Sequence, residues 1–251
     1  KARTWEWDGR VWISKPSGKL GARDSAAMAF DSLRGVTVLF GGSDGDHPTE
    51  FRGDTWEYDG ETWTLRSETG PAARSDHKVA YDPKRGRTVL FGGSTQNGVF
   101  DDCWEWDGTD WSPCASTGPA PRAGHAMAYD SARGVTVVTG GSNGQGSVLS
   151  DTWEWDGLTW TLRARDAPLW KHWHSMAFDS WRGVMVVFGG EGGFGSAETL
   201  EWDGDHWTLR DDVPSPRVGH AMAYDSDRAA TVLYGSGLGV GLEAVVVVTS
   251  V

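Results

Sequence analysis

The chain has no long apolar run and no excess of positive charge, and each absence removes a class of function. Its only markedly apolar stretch, Ala244-Val245-Val246-Val247-Val248, is far too short to span a bilayer, so insertion into a membrane is not expected. Lys and Arg number 23 against 35 Asp and Glu, a formal net charge of −12, which argues against gripping nucleic-acid phosphates. Catalytic signatures are missing too. There is no Gly-x-Ser-x-Gly elbow, no His-Glu-x-x-His and no phosphate-binding loop. Asp44-Gly45-Asp46 lacks the rest of an acidic calcium loop, so neither a metal nor another cofactor is expected. The chain opens at Lys1 without a methionine and with no signal peptide, and the expectation is a processed or excised domain.

What is present is repetition. A Trp-Glu-Trp-Asp-Gly block stands at residues 5–9, 104–108 and 153–157, with variants at 56–60 and 200–204. The starts lie 51, 48, 49 and 47 residues apart. Between them recurs His-Ala-Met-Ala-Tyr-Asp-Ser-x-Arg-Gly-Val-Thr-Val-x-x-Gly-Gly, best seen at residues 125–141. A period near 48 with short strands points to a propeller. In the third full unit, residues 125–130 alternate small and large side chains, as on a strand squeezed between neighbours. Ser131-Ala132-Arg133-Gly134 turns the chain into the β-branched run 135–139. Residues 151–155 and 160–163 then form a hairpin across Asp156-Gly157-Leu158-Thr159. Each unit is predicted to be a four-stranded antiparallel meander, the blade of an all-β propeller. At 251 residues the chain can bury roughly three quarters of its unfolded surface, and it is read as one domain over residues 1–251.

The paired glycines Gly41-Gly42, Gly92-Gly93, Gly140-Gly141 and Gly189-Gly190, followed by aromatic pairs such as Tyr58 with Trp63 and Trp106 with Trp111, carry a family resemblance. The sequence resembles the kelch-repeat β-propellers over nearly its whole length. That resemblance implies the fold. For function it leaves protein-binding adaptors, carbohydrate-directed proteins and a few enzymes open. Kelch-like copper oxidases need a specific Tyr, Cys and His constellation, which the two cysteines in an outer hairpin do not provide. The last unit departs from the pattern, with Gly235-Ser236-Gly237 in place of the double glycine and no tryptophan hairpin after it. The N-terminus supplies what is missing, since residues 5–12 read as an outer hairpin without an inner one. Pairing it with the C-terminal inner hairpin (220–224 and 231–234) predicts a closed, five-bladed, kelch-like propeller. The last dozen residues are left as an extra strand or a tail.

Repeated residues are expected to serve the scaffold. Of sixteen tryptophans, thirteen fall at repeated positions and are read as blade-to-blade packing rather than a sugar-stacking surface. Glu6, Glu57, Glu105, Glu154 and Glu201 recur between them and are expected to pair with repeated arginines. His77, His125, His174 and His220 share one place at the start of the innermost strand, where Ala26 stands in the first full unit. Three residues earlier come Arg23, Arg74, Arg122, Lys171 and Arg217. Two roles are open for this ring of cations and imidazoles around one mouth of the channel. One is hydrogen bonding to blade carbonyls and repeated carboxylates; the other is an anion-attracting mouth.

Singular residues carry more functional information. Pro168-Leu169-Trp170-Lys171-His172-Trp173-His174 replaces the Pro-Arg-x-Gly-His of other units and brings aromatics beside Lys and His, the ingredients of a ligand pocket or of local loop packing. The loops between second and third strands also vary, offering His47 and Phe51 in 43–53, Phe100 in 94–101 and Phe194 in 191–197. Both kinds of connection are expected on one face. The expected function is a binding module for a protein or glycan, including an acidic one, using that face. An enzyme working at the channel mouth and a structural domain of a larger surface protein are the alternatives. Cys103 and Cys114 should face each other across the hairpin that pairs Trp106 with Trp111 and form a disulfide, which would indicate a secreted or cell-surface protein.

Overall fold

The described residues of the computed structural model are 3–44, 47–114, 117–168, 171–192, 197–210 and 216–235, less the side chains of 47–49. Among them every regular element is a β-strand. Four sheets are four-stranded antiparallel meanders. The first blade runs Ala27–Asp31, Val36–Phe40, Thr55–Tyr58 and Trp63–Ser67. The second runs Lys78–Asp82, Arg87–Phe91, Cys103–Trp106 and Trp111–Pro113. The third is Ala126–Asp130, Val135–Thr139, Thr152–Trp155 and Trp160–Ala164, and the fourth Ser175–Asp179, Val184–Phe188, Thr199–Trp202 and Trp207–Arg210.

The second strand of each blade is buried on both sides. Phe40, Phe91, Val89, Leu90, Val137, Val138 and Met185 have essentially no exposure, so these β-branched and aromatic runs are core strands. Among the described residues three hydrophobic clusters lie between blades, and a fourth joins Leu39, Trp56, Tyr58 and Trp63 of the first blade. Val89 and Phe91 of the second blade pack with Val138, Trp155 and Trp160 of the third. Val137 of the third packs with Met176, Val187 and Trp202 of the fourth. No blade could bury its own faces alone, and for that reason the sequence repeats.

The double glycines sit where the connector to the next blade crosses. A Cβ on Gly41 would stand 2.8 Å from the Arg74 carbonyl oxygen and 2.9 Å from His77 Cε1, and φ there is +66°. Only glycine allows that approach together with that backbone.

The disulfide is present: Cys103 and Cys114 are bonded, with Cα atoms 5.0 Å apart, in the hairpin that pairs Trp106 with Trp111. The terminal hairpins stand as two separate two-stranded sheets, Thr4–Trp7 with Trp12–Lys15 and Ala221–Asp225 with Ala230–Tyr234. They are neighbours, since the rings of Trp12 and Tyr234 lie 6.4 Å apart, but no backbone ladder joins them. The tail from residue 236 onward lies outside the described residues.

Candidate functional site

The connectors between blades and the loops between second and third strands meet on one face. Backbone bridges tie Asp24 to Ser43, Ser75 to Ser94, Ala123 to Ser142 and His172 to Glu191. Just inside them a ring of residues adopts left-handed backbone: Ser25, Asp76, Gly124, Trp173 and Gly219, with φ between 53° and 63°. Each N–H along this ring donates to the carbonyl of the previous member. Asp76 donates to Ser25 at 3.1 Å, Gly124 to Asp76 at 3.0 Å, Trp173 to Gly124 at 2.7 Å and Gly219 to Trp173 at 3.0 Å. Ser25, Asp76, Trp173 and Gly219 of this run line the central cavity.

The repeated cations take the scaffold role. Arg74 and Arg122 are fully buried, and each spans a carboxylate of its own blade with two N–H groups, Asp102 and Asp151. Arg23 does the same with Asp54 at 2.8 and 3.1 Å. Trp56, Trp104 and Trp153 donate Nε1–H to these same aspartates, which are held below the usual carboxylate range against the cost of burial. Lys171 Nζ lies 2.7 Å from Glu198 Oε2, and Arg217 reaches the Gly235 carbonyl at 3.4 Å. The guanidinium of Arg74 also stacks 3.9 Å from the Phe100 ring centre. A charge neutralised in this way no longer draws a distant anion, so the structure gives no support to an anion-attracting rim.

The histidines are likewise enclosed. His77 Nε2 lies 3.1 Å from the Phe40 carbonyl oxygen, and the rings of His77, His125 and His220 meet Phe40, Phe91 and Phe188 edge to face. Burial, with neighbouring cations second, lowers His77 and His174 to about 3 and His220 to about 4, and holds His125 well below its ordinary value. All four are neutral at physiological pH. Among the described residues no three His, Cys, Asp or Glu side chains converge to hold a metal ion.

His172 and Trp173 behave differently. Trp173 is the one bulky member of the left-handed ring and is 44 % exposed. Its ring lies against Gly124, where a Cβ would come within 2.8 Å of Cδ1, and 4.5 Å from the His172 ring centre. His172 Nδ1 is enclosed without a hydrogen-bond partner among the described residues. Both line a cavity of about 380 Å3 whose other walls include Asp76, Thr95, Gln96 and Ser142. Opposite them stands the short ribbon Ser94–Thr95 with Gly98–Val99. Phe51, half-buried, pairs with Ser43 in the corresponding ribbon of the first blade. Trp170, Phe194 and the side chain of His47 lie outside the described residues.

Sequence reasoning thus reached His172 and Trp173 but missed Asp76, Thr95, Gln96 and Ser142. Small polar residues in a turn carry no signal until the chain folds. It also missed Lys78, which lines the channel where the matching residues of other blades are Ala27, Ala126, Ser175 and Ala221.

Among curated proteins none matches the chain. The model of the KLHDC2/KLHL20/DRC7 Kelch-repeats domain matches residues 3–164. With its double glycines, four-stranded blades and interblade aromatic packing, the chain belongs to the Kelch-repeat family.

Proposed function

We propose that this propeller is a protein-recognition module that takes a segment of its partner into the groove between His172–Trp173 and the Ser94–Val99 ribbon. Kelch repeats suggest protein interaction in general; the choice of groove rests on Trp173. A tryptophan in left-handed backbone costs on the order of 1–2 kcal/mol, at a position where other units use Ser25, Asp76, Gly124 and Gly219. The cost is not offset by core burial, because the side chain is 44 % exposed. An exposed aromatic beside a histidine nitrogen with no partner is a typical anchor for recognition. With Arg23, Arg74, Arg122 and Lys171 each held by a carboxylate, we assign no preference for acidic partners.

Trp173→Gly separates binding from folding, because glycine accepts the backbone that tryptophan does not. Peptides selected from a displayed library against the unaltered protein should bind W173G at least tenfold more weakly, while its melting temperature stays level or rises. Selected peptides that bind W173G equally, or that map to the Asp-Ser-x-Arg-Gly turn face, overturn the assignment. Glycans that bind on an array in place of peptides would redirect it to carbohydrate.

Two further readings belong here. We infer that the terminal hairpins join as a fifth blade. Thr4–Trp7 already packs on the first blade as each third strand packs on the next: the Tyr58 hydroxyl donates to Glu6 at 2.8 Å, as Trp106 Nε1 does to Glu57 at 3.0 Å. Arg228 binds Asp225 as Arg34 binds Asp31, and Glu6 is the carboxylate its unused side would meet. The Cys103–Cys114 disulfide supports an oxidising setting, that of a secreted or cell-surface protein.

A further inference from the structure

Lys78 is the singular residue of the channel. Five innermost strands present one equivalent position to it, occupied by Ala27, Lys78, Ala126, Ser175 and Ala221, and all five line a central cavity of about 880 Å3. Four strands form with a small side chain there, so the scaffold does not require a lysine. Among the described residues the Lys78 ammonium makes no ion pair and no hydrogen bond; the carboxylate of Asp76, which lines the same cavity, acts on it through space. Its charge bears on His77, His125, His174 and His220 and disfavours their protonation, and an imidazole in either state supplies no counter-charge to an ammonium. Enclosure accordingly lowers the Lys78 pKa, with Asp76 opposing. The rest of the wall includes the thioethers of Met28, Met127, Met176 and Met222.

We propose that the channel is a binding site for a small organic monoanion, whose carboxylate meets the Lys78 ammonium and whose apolar body lies against the apolar side chains of the wall, the partly exposed Met28 and Met222 among them. Lys78 is half-buried, and an anion reaching its ammonium gains a charge-assisted hydrogen bond at a lower dielectric constant than in open water. The flexible, polarisable methionine side chains can fit apolar groups of varied shape. This cavity shares Asp76 and Trp173 with the groove proposed for protein partners, but Lys78 lines the cavity and not the groove, so K78M and W173G test the two readings separately.

The test is calorimetric titration of the folded protein with octanoate, with inorganic phosphate and octylamine as comparison ligands. Lys78→Met keeps length and apolar volume while deleting the charge. The unaltered protein should bind octanoate saturably at millimolar concentrations or below and discriminate against octylamine. K78M should bind octanoate at least tenfold more weakly, in line with the loss of one charged hydrogen bond. Its melting temperature should be unchanged or higher, since an enclosed unpaired charge has been removed. Equal octanoate affinity in K78M, no saturable binding to the unaltered protein, or a preference for phosphate overturns the proposal. So does a fall of several degrees in the K78M melting temperature with binding unaffected, which would make Lys78 a scaffold residue.

Discussion

The indole of Trp106 donates its Nε1–H to Glu57 across the boundary between two blades, at 3.0 Å. The same carboxylate accepts from Arg34 of its own blade at 2.6 Å, and Arg34 in turn holds Asp31. The arrangement recurs as Trp155 with Glu105 and Arg85, and as Trp202 with Glu154 and Arg133. The first three blades thus each fasten the next by a buried or half-buried carboxylate that is already paired at home.

Removing that carboxylate should cost far more than removing an exposed one. Glu57→Ala leaves Arg34 and the Trp106 N–H without their acceptor and should destabilise by about 3 kcal/mol, short of the largest values because Arg34 reaches solvent. Asp205→Ala, which breaks the exposed pair with Arg163, should stay within about 0.5 kcal/mol. Urea unfolding of the two variants decides the matter; similar losses would contradict the clasp.

Closure of the fifth blade has a covalent test. By the register that sets Phe40 opposite Thr55 and Phe91 opposite Cys103, Tyr234 should face Thr4. Directly opposed residues have Cα atoms about 4.5–5.5 Å apart, within disulfide reach. T4C/Y234C should oxidise to an intramolecular bond in high yield, and deleting residues 1–13 should unfold or aggregate the protein. No bond in the double variant, together with an unchanged melting temperature in the deletion, would rule out closure.

Acid should weaken the fold well before its carboxylates titrate. His77, His174 and His220 have folded pKa values of about 3, 3 and 4, below the ordinary 6.5, and His125 lies low as well. The unfolded chain takes up these protons as pH drops through about 6.5, whereas the folded chain, with Arg74, Lys78, Arg122, Lys171 and Arg217 nearby, does not. Their contribution is therefore complete above that pH and lost progressively down to about 4, below which Asp54, Asp102 and Asp151 add their own loss. The melting temperature should fall steadily between pH 6.5 and 4. A flat profile over that range would contradict neutral buried imidazoles.

Reduction of Cys103–Cys114 should be mild. The loop it closes lies within a paired hairpin, so the entropy it removes from the unfolded chain is smaller than the ~3 kcal/mol of a loop of about 15 residues. Thiol titration in denaturant should find no free thiols without reductant and two after it. Two free thiols at the outset would remove the support for a secreted setting.

The sequence by itself determined the blade, because the blade is a local pattern written repeatedly. Alternation at residues 125–130, the β-branched run 135–139 and the turn at 156–159 act over a few residues each. The register that makes the disulfide follows from counting outward from one hairpin turn. The repeated Glu and Arg could be recognised as partners because they recur together. Tertiary structure alone decided what each charge was free to do. Arg74 and Lys171 look alike in sequence to any exposed cation, and only folding sets Asp102 and Glu198 against them. Conversely, Lys78 looks like any strand lysine until five innermost strands line one cavity and show that its position belongs to alanine and serine. Trp173 stood out as an unusual residue, yet its left-handed backbone and its place over Gly124 depend on a ring of hydrogen bonds between residues about fifty positions apart. Contacts of that range arise from the packing of blades, and no short stretch of chain encodes them.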